Sequence, residues 1–196
     1  MRFREVPEVR FLTSDAGVAA AAVVGVAIVA GLFAWVRRGD RHERRERQAM
    51  LAAATGAAAV SVGFVEVARR QGWFGGAYLE APRVVRFVFE WPVTVGYYTL
   101  WLAGYRRLTA GARHPYWITG VVSAGMAPGA IAGGQWELER GYYRLGHGWR
   151  LGYNAILTPL LLGMPVLMYE GLRERLPSPS APVAAPTRVG IPALRP

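Results

Sequence analysis

The chain contains no cysteine and no lysine. Without cysteine there is no disulfide, no thiol nucleophile and no thiolate-held cluster. Without lysine there is no Schiff base to retinal or to pyridoxal phosphate, so rhodopsin-type photochemistry is excluded. Histidine is scarce: His42, His114 and His147 all fall in loops or at the edges of apolar stretches. That placement argues against a haem held between histidines inside a bilayer. Acids are outnumbered as well, 13 against 23 arginines, for a formal net charge of +10.

What the chain does have is apolar length. Of its 196 residues 53% are hydrophobic, and they are gathered into five long blocks. Residues 16–36 form a run of 21 without a charge, and 48–65 a run of 18 that closes on Glu66. Residues 87–105 make 19, interrupted by Glu90 alone; 115–136 make 22 and 151–169 make 19. About 20 helical residues cross a hydrocarbon core of roughly 30 Å. Lipid offers no partner to an open backbone group, so helices are the expected form of each span. The fold class expected is therefore all-α: a polytopic membrane bundle with spans at about 16–36, 48–68, 87–105, 115–136 and 151–170. The first span is too long for the apolar part of a cleaved signal peptide and reads as a retained anchor. Residues 176–196 hold six of the 13 prolines and read as a flexible Pro/Ala/Ser tail.

The arginines cluster in the short segments beside these blocks, which favours anionic lipid headgroups over nucleic acid as their partner. Residues 37–47 carry six of them. Together with Arg106, Arg107, Arg113 and the four arginines beyond residue 170, one side collects 13 and the other ten. The expected orientation places the N-terminus outside and the C-terminus in the cytoplasm.

Polar residues within the apolar blocks are candidates for function, because an intramembrane carboxylate costs roughly 3 kcal/mol on insertion scales. Glu66 ends the second block and Glu90 lies one turn into the third. One reading pairs each with a nearby arginine (Arg69, Arg70 or Arg86) at headgroup level. The other makes them a pair of catalytic acids that give and take a proton. Glu170 reads as an interfacial residue paired with Arg173. Glu90, Thr94, Tyr97 and Trp101 share one helical stripe, and Asn154 and Thr158 share another. An aromatic-lined cavity of this kind suits an apolar ligand, with Tyr97, Trp101, Asn154 and Thr158 as its binding residues. Trp35, Trp73, Trp91, Trp136 and Trp149 read as interfacial anchors. Gly125, Gly129 and Gly133, at four-residue spacing around Pro128, read either as a close helix contact with a kink or as a helix bent around a cavity. Glu137, Glu139 and His147 match no metal-ligand spacing, so neither a metal nor a cofactor is expected.

The order of features from residue 45 to 172 resembles the emopamil-binding protein, or EXPERA, family, which includes sterol isomerases. The resemblance lies in Gly63-Phe64-Val65-Glu66 followed by Gly72-Trp73-Phe74, and in Glu90 early in the third span. It continues in His114-Pro115, the small-residue stretch and polar loop of 121–147, Asn154-Ala155, and the segment LLLGMPVLMYEGL. Glu66 stands where that family has a histidine. A span-two glutamate is also similar to the acid of membrane-bound terpene cyclases. The resemblance implies an isoprenoid- or sterol-type isomerase or cyclase, with Glu66 donating a proton and Glu90 accepting one. The alternative is a non-catalytic accessory or lipid-binding subunit of a larger membrane complex, and a small transporter component is a third. The partners these readings require are membrane lipids, an apolar isoprenoid-like ligand and a membrane-protein partner; none of them requires nucleic acid.

Overall fold

The computed structural model describes residues 11, 14–76, 86–112, 115–146 and 148–175. The tail expected over 176–196 lies outside the described residues, as do His114, His147 and nearly all of the polar lead. The described residues are all-α in their main elements, with five long helices. Helix α1 is Asp15–Arg37, and the Ser14 hydroxyl caps it by accepting the Gly17 N–H at 3.1 Å. A tight turn follows, in which Gly39 adopts φ 93°, a left-handed conformation that suits glycine. Helix α2 is Arg41–Arg70. It begins seven residues before the second apolar block because Asp40 caps it, accepting the Glu43 N–H at 2.8 Å.

A short strand, β1 (Phe74–Gly76), leads away from α2. One turn of π-helix, Arg86–Glu90, then introduces α3, Trp91–Leu108. Pro92 sits in the first turn of α3, where the missing N–H costs least. Helix α4 is Pro115–Glu139. After it, β2 (Tyr143–Leu145) pairs antiparallel with β1, placing Phe74 opposite Leu145 and Gly76 opposite Tyr143. The ribbon is extended by Gly146, whose N–H donates to the Trp73 carbonyl at 2.8 Å. A Cβ at Gly146 would overlap the Gly72 carbonyl oxygen, so the approach requires glycine. A single 3-10 turn, Leu151–Tyr153, opens α5, Asn154–Arg173. Among the described residues three segments are long and apolar enough to cross a membrane: α1, α2, and residues Leu151–Arg173 ending in α5.

The core is shared by α2, α3 and α5. From α2 it takes a stripe of small residues, Ala49, Ala53, Ala54, Ala57 and Ala58, together with Met50. Val95, Tyr98, Leu102 and Tyr105 of α3 and Leu162, Val166 and Tyr169 of α5 fill the other side. Positions three and four apart share a helix face, and alanine lets neighbouring backbones approach closely. Helix α1 leans on α3 and on the π-turn, and α4 packs on α5. Where α1 meets the π-turn, a Cβ at Gly25 would overlap the Val88 carbonyl oxygen. Pro92 offers no N–H to that carbonyl and its ring crowds it, and Gly25 is what lets α1 lie against it.

The glycine stripe of α4 does not make the contact its spacing allows. Gly125, Gly129 and Gly133 are exposed, and a Cβ at any of them would meet nothing within 4 Å. The buried face of α4 is instead Thr119, Ser123, Ala127 and Gly134. Gly134 is the true close approach: a Cβ there would come within 2.7 Å of Leu151 Cδ1 and 3.2 Å of Asn154 Nδ2. Large apolar side chains point outward on every helix, among them Val23 (69% exposed), Val60 (50%), Leu100 (75%), Trp117 (75%) and Leu160 (61%).

Candidate ligand groove and the polar cluster at its end

Helices α3, α4 and α5 enclose a groove of about 490 Å³. Tyr97 and Tyr98 contribute from α3, Met126, Gly129 and Ala130 from α4, and Thr158, Leu161 and Leu162 from α5. Gly129 lines this groove, and a Cβ there would meet nothing within 4 Å. Tyr98 is fixed from behind, its hydroxyl 2.6 Å from the Ser61 hydroxyl of α2. Thr55, Thr99, Thr109 and Thr119 each donate to the carbonyl four residues earlier. Thr158 does not, and among the described residues neither its hydroxyl nor that of Tyr97 has a hydrogen-bond partner. The groove is thus apolar with two uncommitted hydroxyls on facing helices, and its volume falls within the roughly 300–1,000 Å³ of small-molecule sites.

Of the residues expected to bind a ligand, Tyr97 and Thr158 share the groove. Trp101 lies beside it as a strut: its indole N–H donates to the Leu162 carbonyl at 2.9 Å, pinning α3 to α5. Asn154 packs at the start of α5 against Gly134. Neither Glu66 nor Glu90 is among the lining residues. Glu66 accepts hydrogen bonds from Arg69 Nε at 3.1 Å, Arg69 Nη2 at 2.8 Å and Arg70 Nε at 2.9 Å. Glu90 closes the π-turn and is half-buried. Among the described residues no three His, Asp or Glu side chains gather as a metal site requires.

The best-built polar cluster involves residues that the sequence analysis largely passed over. Glu46 of α2 accepts from Arg106 Nε of α3 at 2.5 Å and from the Tyr169 hydroxyl of α5 at 2.8 Å. Glu170 of α5 accepts from the Tyr105 hydroxyl of α3 at 2.8 Å and from Arg173 at 3.2 Å. The two tyrosine rings meet edge to face, centroids 6.3 Å apart, and both are buried. Each acid therefore holds one arginine and one tyrosine, and the cluster joins three helices at the arginine-rich end of the bundle. Tyr105 lies seven residues beyond Tyr98, and Tyr169 seven beyond Leu162, which is about 10 Å along each helix. The clamp and the Trp101 strut together hold α3 and α5, two walls of the groove, at fixed spacing. The only advance sign was Glu46 itself, an acid embedded among arginines. Glu170 does pair with Arg173, as its position suggested, but its side chain is only 12% exposed and Tyr105 supplies a second partner.

At the other end, Trp73 and Trp149 stack at 5.8 Å with Phe64 alongside at 6.2–6.4 Å. Tyr153 meets Trp149 edge-on at 5.2 Å. Two tryptophans expected as separate anchors thus form one aromatic cluster beside the β-ribbon. Comparison with protein-family models, with curated proteins and with solved structures finds no match to this chain.

Proposed function

We propose that the chain is a five-span integral membrane protein that binds one apolar, isoprenoid-type ligand in the groove between α3, α4 and α5. Supporting the five crossings, the ends of α2, α3 and α5 meet in the Glu46 and Glu170 cluster, while the β-ribbon joins the opposite ends. The helices therefore alternate in direction. Helices α3 and α4 also turn apolar side chains outward, Leu100, Trp117 and Val121 among them, as lipid-facing helices do. The arginine-rich end belongs to the cytoplasmic side by the positive-inside rule, with the N-terminus outside.

The observation that carries the ligand reading is the groove itself, lined by Tyr97 and Thr158, whose hydroxyls have no hydrogen-bond partner among the described residues. The resemblance to emopamil-binding proteins points to the same ligand class. The role we assign is binding rather than proton transfer, because Glu66 is engaged by the guanidinium groups of Arg69 and Arg70 and is not among the residues that line the groove. A proton donor at ordinary pH needs the opposite environment, an apolar one that keeps the acid neutral.

The test is lipid extraction from purified protein followed by mass spectrometry, comparing wild type with Gly129→Trp, which adds an indole at a groove position where a Cβ meets nothing within 4 Å. A neutral isoprenoid-type lipid should accompany wild type and be lost from Gly129→Trp. Glu66→Gln should retain it unaltered. Equal lipid in wild type and Gly129→Trp, or bulk phospholipid alone in both, would overturn the reading. Conversion of the retained lipid by wild type but not by Glu66→Gln would restore the isomerase or cyclase reading.

A further inference from the structure

We infer that the turn between α1 and α2 is a preformed docking surface for the phosphate headgroups of anionic bilayer lipids. The inference rests on charge pairing at residues 37–47 and is independent of the groove. This segment holds six arginines and three acids, Asp40, Glu43 and Glu46. All three acids are already engaged. Asp40 caps α2 through the Glu43 N–H, Glu43 pairs with Arg47 at 3.2 Å, and Glu46 is held by Arg106 and Tyr169. The carboxyl of Asp40 is kept below the ordinary aspartate range chiefly by that backbone hydrogen bond, so it remains charged and committed to the cap.

One arginine is structural. Arg47 donates to the carbonyls of Trp35 at 2.9 Å and Arg38 at 2.7 Å, and its guanidinium lies 5.4 Å from the centre of the Trp35 ring. It satisfies the open carbonyls at the end of α1 and stiffens the turn. That leaves Arg37, Arg38, Arg41, Arg44 and Arg45, all exposed, and among the described residues none of them pairs with an acid. Arg41, Arg44 and Arg45 follow the i, i+3, i+4 spacing of one helix face. Arg44 turns its Nε to the Asp40 carbonyl at 3.4 Å and helps to hold the Asp40 carboxyl low, yet its guanidinium stays exposed. Five exposed guanidinium groups without a salt-bridge partner on a stiff turn form an array of planar forks able to grip phosphate through N–H donors.

The source of phosphate follows from what borders the array. Phe33 is 57% exposed and Val29 41% exposed on the α1 turns just before Arg37. The charged surface is thus continuous with an outward apolar face, as at a bilayer boundary. A nucleic acid would need the charge without that face.

Purified full-length protein in detergent tests the inference through its unfolding temperature. Phosphatidylglycerol, phosphatidylcholine or inorganic phosphate is added, and the variants replace Arg37, Arg38, Arg41, Arg44 and Arg45 together. Phosphatidylglycerol should raise the midpoint, while phosphatidylcholine and inorganic phosphate should not. The rise should shrink as salt goes from about 0.05 M to about 0.5 M, where screening shortens to a few ångström. The five-fold Arg→Gln variant should lose the rise. The five-fold Arg→Lys variant should keep part of it, because charge remains but the fork is gone. Arg140→Gln with Arg150→Gln, at the other end of the bundle, should respond as wild type does. An equal rise with phosphatidylcholine, an equal rise with inorganic phosphate, or a full rise in the Arg→Gln variant would each overturn the inference. If the Arg→Gln variant does not fold, Arg41→Gln and Arg44→Gln singly decide, each expected to lose part of the rise; two unchanged responses would overturn it.

Discussion

Replacing Tyr169 by phenylalanine removes one hydroxyl and almost no volume from a ring that is 0% exposed. The hydroxyl donates to the Glu46 carboxylate at 2.8 Å. A hydrogen bond to a charged acceptor is worth about 1.5–3 kcal/mol, more than a neutral one. The Glu46 side chain is only 20% exposed, so water cannot readily take the place of the lost donor, while Arg106 still holds one of its oxygens. The expected loss is therefore about 2 kcal/mol. Tyr105→Phe, at the matching bond to Glu170, should cost about the same. Glu46→Gln should cost more than either, because it leaves Arg106 without its counter-charge and weakens the Tyr169 bond as well. Reversible unfolding of the purified protein by sodium dodecyl sulfate in mixed micelles would measure all three. A change below about 0.5 kcal/mol for Tyr169→Phe, or a Glu46→Gln variant no less stable than it, would refute the idea that this cluster clamps α2, α3 and α5.

Other outcomes follow from the packing and topology. Gly25→Ala should destabilise by about 1–3 kcal/mol, since its Cβ overlaps the backbone at Val88. Gly31→Ala on the same helix meets nothing and should be neutral or mildly stabilising; equal effects in one unfolding titration would contradict the Gly25 contact. Because the chain has no native cysteine, single cysteines report sidedness cleanly. Arg45→Cys and Arg107→Cys should label from one face of intact membranes, and Gln71→Cys and Arg140→Cys from the other; any mixed pattern would break the five-span arrangement. The depressed Asp40 carboxyl contributes stability that is complete above its unfolded value, 3.8. That stability is lost as pH falls through the lower folded value. Hydrogen exchange at the start of α2 should therefore quicken only in strong acid, and Asp40→Asn should remove the pH dependence.

The helices were legible because hydropathy marks them directly. Expected spans at 16–36 and 115–136 differ by only a few residues from α1 and α4. The largest displacement is at α2, which starts at Arg41 because the Asp40 cap outweighs the polarity of the arginines that follow. The ribbon of β1 and β2 was invisible. Three-residue strands flanked by glycine carry no periodic signal, and their pairing joins positions about 70 residues apart. Glycine spacing in α4 allowed a contact or a cavity, and the contact is not made, since a Cβ at Gly125, Gly129 or Gly133 meets nothing within 4 Å; the alanine stripe in α2, equally plain in the sequence, does the close packing. Tyr97 and Thr158 could be named from helical stripes because each belongs to one element. The Glu46 cluster could not, since its members come from three helices and only the tertiary structure brings them together.

The most direct test of the groove reading is photo-crosslinking with a diazirine-bearing farnesol, applied to the protein reconstituted in lipid and mapped by mass spectrometry. Labels should concentrate on the peptides carrying Tyr97, Met126, Gly129 and Thr158, saturate at one probe per chain, and disappear in Gly129→Trp. Labels spread over outward apolar residues such as Val23, Val26 and Leu160, without saturation and unchanged in Gly129→Trp, would contradict a ligand site between α3, α4 and α5.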